Sequence, residues 1–217
     1  MFIDTHTHIY LEDFKEDRRK IISECIENDV NKLVLPNIDS TTINDDIKLS
    51  LDNNNICYPM VGLHPCSVKN NFEKELAVLK PYVKNYSPVA IGETGIDLFW
   101  DKTTLEIQQK AFKEQINWAK EFDLPIVIHA RNSYKEIFKI LDEENSSSLS
   151  GVFHCFSSTL KDAQHILEYG NFKLGIGGVV TFKNSGLDKI VKEIDIENIL
   201  LETDAPYLTP APFRGKR

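Results

Sequence analysis

No stretch of this chain is apolar for long enough to cross a bilayer, and Asp4, His6 and His8 break up any basic-then-apolar leader at its start. A membrane protein is therefore not expected, and the cytoplasm is the expected compartment. Cysteine is scarce, with four thiols (Cys25, Cys57, Cys66 and Cys155) and no Cys-x-x-Cys spacing. That argues against a disulfide scaffold. Positive charge is also short, since 25 Lys and Arg against 33 Asp and Glu leave a net −8. Such a balance disfavours a general electrostatic grip on nucleic acid, although a local cation site can oppose the global field. No glycine-rich phosphate loop follows the first apolar run, which weighs against a doubly wound nucleotide-binding sheet.

What is present is an alternation of short β-rich runs and helical patterns from end to end. Strands are expected near Phe2–Thr7, Lys32–Pro36, Cys57–Leu63, Pro88–Gly92, Pro125–Ile128, Gly151–His154, Phe172–Ile176 and Asn198–Leu201. Helices are expected at Asp13–Glu27, Thr42–Asp52, Phe72–Asn85, Thr104–Glu121, Tyr134–Glu143, Leu160–Glu168 and Leu187–Glu193. Eight strands with seven intervening helices is the count of a (β/α)8 TIM-type barrel that stops before its final C-terminal helix. No linker divides residues 1–217, so a single domain is expected.

The strand ends carry the chemistry. His6 and His8, two apart after Phe2-Ile3-Asp4, share one face of an extended segment and can share one cation. Glu93 follows Val89–Gly92, His129 ends Leu124–Ile128, His154 ends Gly151–Phe153, and Asp204 follows Asn198–Leu201. Six nitrogen and oxygen ligands exceed the needs of one catalytic zinc and suit two divalent ions bridged by Glu93. The residue types accept zinc, manganese, cobalt or magnesium. With no redox motif present, hydrolysis through a metal-bridged hydroxide is the economical reading. Glu93 and Asp204 are then the catalytic candidates, Asp204 also accepting the proton of the attacking water. His64, in Gly62-Leu63-His64-Pro65, and Arg131, two residues beyond His129, are candidates for substrate contact, with a local hydrogen bond or a salt bridge as the alternative.

The segments Phe2–His8, Gly92–Asp97, Ile128–Arg131, His154–Ser157 and Glu202–Leu208 together resemble the TatD-type metal-dependent deoxyribonucleases, of the wider amidohydrolase-like barrels. The likeness runs in order along essentially the whole chain. It implies a (β/α)8 fold, metal ligation by His6, His8, Glu93, His129, His154 and Asp204, and His64 and Arg131 near a substrate phosphate. It further implies 3′–5′ exonuclease action on DNA. Cys66 stands where many relatives carry a second histidine, and relatives continue beyond Arg217 into a closing helix. Without that helix, part of the outer face of strands eight and one is expected to be exposed. Three functions remain open: DNA phosphodiester hydrolysis, amide or ester hydrolysis (including aminoacyl-tRNA deacylation) on the same site, and a non-catalytic scaffold. The nuclease reading expects aromatics such as Phe99, Trp100 or Phe156 for base stacking. Oligomeric state is not legible.

Overall fold

In a computed structural model describing residues 1–217, each apolar run becomes a strand. These are β1 (Phe2–Asp4), β2 (Val30–Leu35), β3 (Cys57–Val61), β4 (Ala90–Asp97), β5 (Ile126–Arg131), β6 (Gly151–Phe153), β7 (Phe172–Ile176) and β8 (Ile199–Leu201). All neighbouring pairs from β1–β2 to β7–β8 are parallel, and the spatial order is the chain order. Sequential order with a helix in each crossover is TIM-barrel topology. The helices are α1 (Arg18–Glu27), α2 (Ile43–Asp52), α3 (Phe72–Tyr86), α4 (Leu105–Phe122), α5 (Tyr134–Glu144), α6 (Leu160–Glu168) and α7 (Leu187–Val191). No helix is long and apolar enough to cross a membrane.

Alternation along the strands separates two layers of packing. Ile126 and Ile128 on β5 join the layer beneath the helices, with Ile137 and Leu141 of α5 and Phe112 and Ile116 of α4. Val127, between them, joins Met60 and Ala90 in a small separate cluster with Val34 against it, which fills the barrel interior. On β4, Ile91 and Ile96 both pack beneath the helices although they are five residues apart. One step of alternation is lost, and the β4–β5 register shifts between Ile91 and Thr94. Such an irregularity re-aims a side chain, and here it falls at Glu93.

Several boundaries differ from the sequence expectation. β1 stops at Asp4, so His6 and His8 lie just beyond the strand, and β4 and β5 continue to Asp97 and Arg131, which puts Glu93 and His129 inside strands. The first helical segment divides into a 3-10 turn at Glu12–Phe14 and α1 starting at Arg18. The break has a cause. The Arg18 guanidinium donates to the carbonyls of Ile9, Tyr10 and Leu11 at 2.6–2.7 Å, which holds the chain away from a continuous helix.

The seam between β8 and β1 is closed by discrete bonds. Thr5 N–H donates to Leu201 O at 3.0 Å, Asp204 N–H to His6 O at 2.8 Å, and His8 N–H to Ala205 O at 2.8 Å. Asp4 pins the same seam, accepting from the Thr203 hydroxyl at 2.6 Å and from the Thr203 and His6 amides at 3.0 and 3.2 Å. Burial nevertheless pushes the Asp4 carboxyl up to about 6, because these bonds only partly offset desolvation. Phe2, Ile3 and Leu201 beside this seam are exposed.

Candidate metal centre

Glu93 lies buried at the centre of the barrel mouth, and its two carboxylate oxygens face different groups of side chains. Oε2 is 3.1 Å from His6 Nε2 and 3.8 Å from His8 Nε2. Asp204 Oδ1 joins this group, 3.7 Å from His6 Nε2 and 3.4 Å from His8 Nε2. Oε1 faces the other side, 2.7 Å from His154 Nε2, 2.8 Å from His129 Nδ1 and 3.3 Å from His64 Nε2. Residues from five strands or the segments just after them thus converge on one carboxylate. The residues sit at the C-terminal side of the barrel, where such folds build their sites.

What holds each imidazole decides which nitrogen it offers. Tyr10 donates to Pro36 O at 2.6 Å, and its oxygen lies 3.3 Å from His8 Nδ1. Its free lone pair accepts the Nδ1 proton, leaving His8 Nε2 unprotonated toward Glu93 and Asp204. For His129 the roles reverse. Its Nε2–H donates to Asp97 Oδ2 at 2.9 Å, so Nδ1, 2.8 Å from Glu93 Oε1, is the nitrogen that gives up its proton to offer a lone pair there. His154 stacks on His6 with ring centroids 4.0 Å apart, and its Nδ1 lies 3.7 Å from Glu202 Oε1. His64 differs from all of these. Its Nδ1 accepts the Cys66 amide at 3.1 Å, which places a proton on Nε2. His64 therefore donates into the site and has no lone pair there for a cation.

Charge follows the same geometry. Burial alone would raise the Glu93 carboxyl, but His154, His64 and His6 around it hold it well below the usual range. Burial opposes charge on His154, yet Glu93 beside it more than offsets this and pushes the imidazole well above its ordinary value. His129 is raised against burial by its bonds to Asp97 and Glu93. His6, enclosed and stacked on His154, is lowered by burial first and by that neighbour second. Burial pushes Asp204 up, but His8 and His6 outweigh it and keep the carboxyl low, so it is ionised at neutral pH.

A buried carboxylate that pulls protons onto its surrounding imidazoles is a site that calls for positive charge. Ligand atoms about 2 Å from a shared ion lie roughly 3.3 Å apart in a tetrahedron. The 2.7–3.8 Å separations around Glu93 bracket that spacing. Buried His6 Nδ1 and His154 Nδ1 lack hydrogen-bond partners within the protein, so the direction of each ring is set by the side facing Glu93. The donor set fits a divalent cation.

Asp97, which the sequence offers as a residue to orient a ligand or cap a loop, touches His129 through Oδ2 and the Phe99 and Trp100 amides through Oδ1. Two further supporting residues escaped the sequence reading, Tyr10 on His8 and Glu202 beside His154. Glu202 also accepts the amide of Cys155, a residue in left-handed backbone at φ 47°. Room for Glu202 depends on Gly175, where an added Cβ would lie 2.2 Å from Glu202 Oε2. The one available signal was alternation, which puts Glu202 and Asp204 on one side of the same segment. Arg131 is exposed at the end of β5 with its guanidinium carbon 3.8 Å from the centroid of Phe99. Asp97 is not its partner, since both Asp97 oxygens are taken by His129 and by the amides of Phe99 and Trp100.

Comparison with known proteins agrees with this geometry. The model of the family described as TatD related DNase matches residues 3–217. The chain belongs to the TatD family. It is 38% identical over 218 residues to the uncharacterized metal-dependent hydrolase YabD of Bacillus subtilis, covering 100% of this chain and 85% of that protein. The crystal structure of YjjV, a TatD homolog from Escherichia coli K12, superposes with a TM-score of 0.92 at 29% identity, covering 99% of this chain and 83% of that one. An uncharacterized amidohydrolase from Saccharomyces cerevisiae shares the fold at 21% identity and a TM-score of 0.82, with 95% and 76% of the two chains covered. The protein is accordingly a metal-dependent hydrolase of the TatD family, with a buried His/Glu cluster able to hold the metal.

Proposed function

We propose that the protein is a deoxyribonuclease that hydrolyses DNA phosphodiester bonds from a 3′ end, in which His6, His8, Glu93, His129, His154 and Asp204 would hold two divalent ions. The observation that carries this reading is the division of Glu93. Its Oε2 faces His6 and His8, whose Nε2 atoms Asp204 Oδ1 also approaches within 3.7 Å, while Oε1 faces His129 and His154. One carboxylate facing two donor groups suits a pair of cations, which when bound supply Lewis acidity and lower the pKa of water. In such chemistry both the attacking and the leaving oxygen need stabilising, as in-line displacement at phosphorus requires. The family description, TatD related DNase, supports the same reading.

The chain's own residues have separate parts. Asp204 is ionised and partly open to solvent, which suits it to accept the proton of the attacking water. His64 presents Nε2–H toward the mouth and is placed to donate to a phosphoryl oxygen. Water oxygen bonds to phosphorus, the bond to the leaving O3′ breaks, and the proton held at Asp204 is returned to that oxygen.

The test pairs single-stranded DNA with an aminoacyl ester of tRNA, each offered to protein loaded with manganese or zinc. DNA should be shortened from the 3′ end, and Asp204→Asn should slow it by about 10²–10⁴-fold, the usual worth of a general base. Glu93→Gln should lose activity together with metal. Ester cleavage without DNA cleavage, or DNA cleavage indifferent to both substitutions, would overturn the proposal.

A further inference from the structure

The proposed reaction uses the mouth of the barrel and leaves one built feature of its rim without a role. Immediately after β4, Phe99 is 50% exposed and Trp100 is 71% exposed. Large aromatic rings left in water beside a site need an explanation. Looseness is not it. Asp97 Oδ1 accepts the amides of Phe99 at 2.9 Å and Trp100 at 3.3 Å, while Oδ2 of the same carboxylate accepts His129 Nε2–H at 2.9 Å. Leu98, just before them, is buried, and its amide donates to Arg131 O at 2.9 Å. A single carboxylate therefore holds the aromatic pair in register with a ligand histidine.

Arg131 completes the feature. Its guanidinium carbon lies 3.8 Å from the Phe99 centroid and 5.4 Å from the Trp100 centroid. The two rings meet edge to face at 89°, with centroids 4.9 Å apart. Arg131 occupies Phe99 and leaves most of the indole of Trp100 free. A π surface with a cation beside it suits a flat aromatic group attached to negative charge, which is the chemistry of a nucleobase on its phosphate. Of the other aromatics the sequence offered, Phe156 is buried and has no face to give. On a chain of net charge −8, a cation placed at this rim also supplies local attraction for a phosphodiester backbone.

We infer that Phe99, Trp100 and Arg131 form a subsite that stacks an unpaired base of the strand whose scissile phosphodiester lies at Glu93 and Asp204. The inference rests on the deoxyribonuclease reading and adds how the substrate is gripped. Every base has a π face, so the subsite holds single strands without sequence preference and disfavours a paired end.

The chain has two tryptophans, and Trp118 is 1% exposed, so emission that responds to a ligand at the surface reports Trp100. With EDTA present to prevent cleavage, the protein is titrated with a thymidine homopolymer and with an abasic strand of equal length and charge. The homopolymer should quench emission, and the abasic strand should bind roughly tenfold or more weakly without quenching. Trp100→Ala and Phe99→Ala should weaken homopolymer binding by about 5- to 100-fold and leave abasic binding unchanged. Both variants keep the backbone amides that Asp97 holds. In the manganese-loaded protein, Trp100→Ala should raise KM for DNA and preserve kcat. Equal binding of base-bearing and abasic strands, or an unchanged KM in Trp100→Ala, would overturn the subsite. Quenching by the homopolymer with no DNA hydrolysis by the metal-loaded protein would leave the stacking subsite standing and overturn the nuclease reading.

Discussion

At the scale of single residues, the site is a problem of tautomers. Four histidines are useful as ligands only if each turns a lone pair toward Glu93. For His8 and His129 the protein arranges this through atoms on the far side of the ring, whereas His6 and His154 have no partner there. Tyr10 does so for His8, and its position is fixed by its own bond to Pro36 O. Tyr10→Phe leaves the Nδ1 proton of His8 without an acceptor and frees the ring to adopt the other tautomer. Loss of such an outer partner typically costs 10–100-fold in metal affinity. Competition against a chromophoric chelator should show at least a tenfold weaker binding in Tyr10→Phe, with the fold kept and stability lower by about 1–3 kcal/mol from the unpaired Pro36 carbonyl. An unaltered affinity would remove Tyr10 from this role. The candidate ligands were legible in sequence because imidazoles and carboxylates after apolar runs are local signals. The partners behind them were not. Asp97 reaches His129 only because β4 and β5 pair with Asp97 opposite Arg131, a relation between strands that periodicity does not encode.

At the scale of elements, helix limits lie close to the sequence expectation wherever an amphipathic period ran uninterrupted, as in α6. Strands β4 and β5 ran longer than expected, because Glu93, Asp97 and His129 read as loop residues until they are seen to pair with one another inside the barrel mouth. Gly95 lets the two strands approach, since a Cβ there would lie 2.1 Å from His129 O. Helix α2 carries a different conflict. Asp46 faces inward and is fully buried, with one oxygen 3.5 Å from the Ser50 hydroxyl and the other without a partner. Burial pushes its carboxyl well above the ordinary value. A raised folded pKa means that the unfolded chain ionises first. The contribution of Asp46 to stability is therefore fully present below the unfolded value near ~4 and is lost as pH rises toward the folded one. Asp46→Asn, which cannot ionise, should show a smaller loss of stability between about pH 4.5 and 8 than the parent. Urea midpoints across that range measure the difference, and parallel curves would mean that Asp46 ionises as readily in the fold as outside it.

At the scale of the whole molecule, barrel order and strand number follow from the β/α alternation, but the unevenness of the barrel does not. The β4–β5 ladder is long and lies under α4 and α5, whereas β1 and β8 have three residues each and carry exposed Phe2, Ile3 and Leu201. Short strands with few buried apolar neighbours open at lower free energy than the global transition. The metal-free protein should therefore exchange amide hydrogens at residues 1–8 and 199–208 well before residues 90–97 and 126–131. Yet His6, His8 and Asp204 hang from those two weak strands, and Asp204 N–H already bonds to His6 O across the seam. A cation held by all three binds the closed seam and not the open one, so it stabilises closure by mass action. Adding manganese or zinc should slow exchange in the two seam segments by a factor that grows with cation concentration. The β4 and β5 amides, which open only with the whole fold, should change by no more than the global stabilisation. Uniform slowing along the chain would mean that the seam does not open on its own, and faster exchange of β4 than of β1 would invert the order of stability on which the prediction depends.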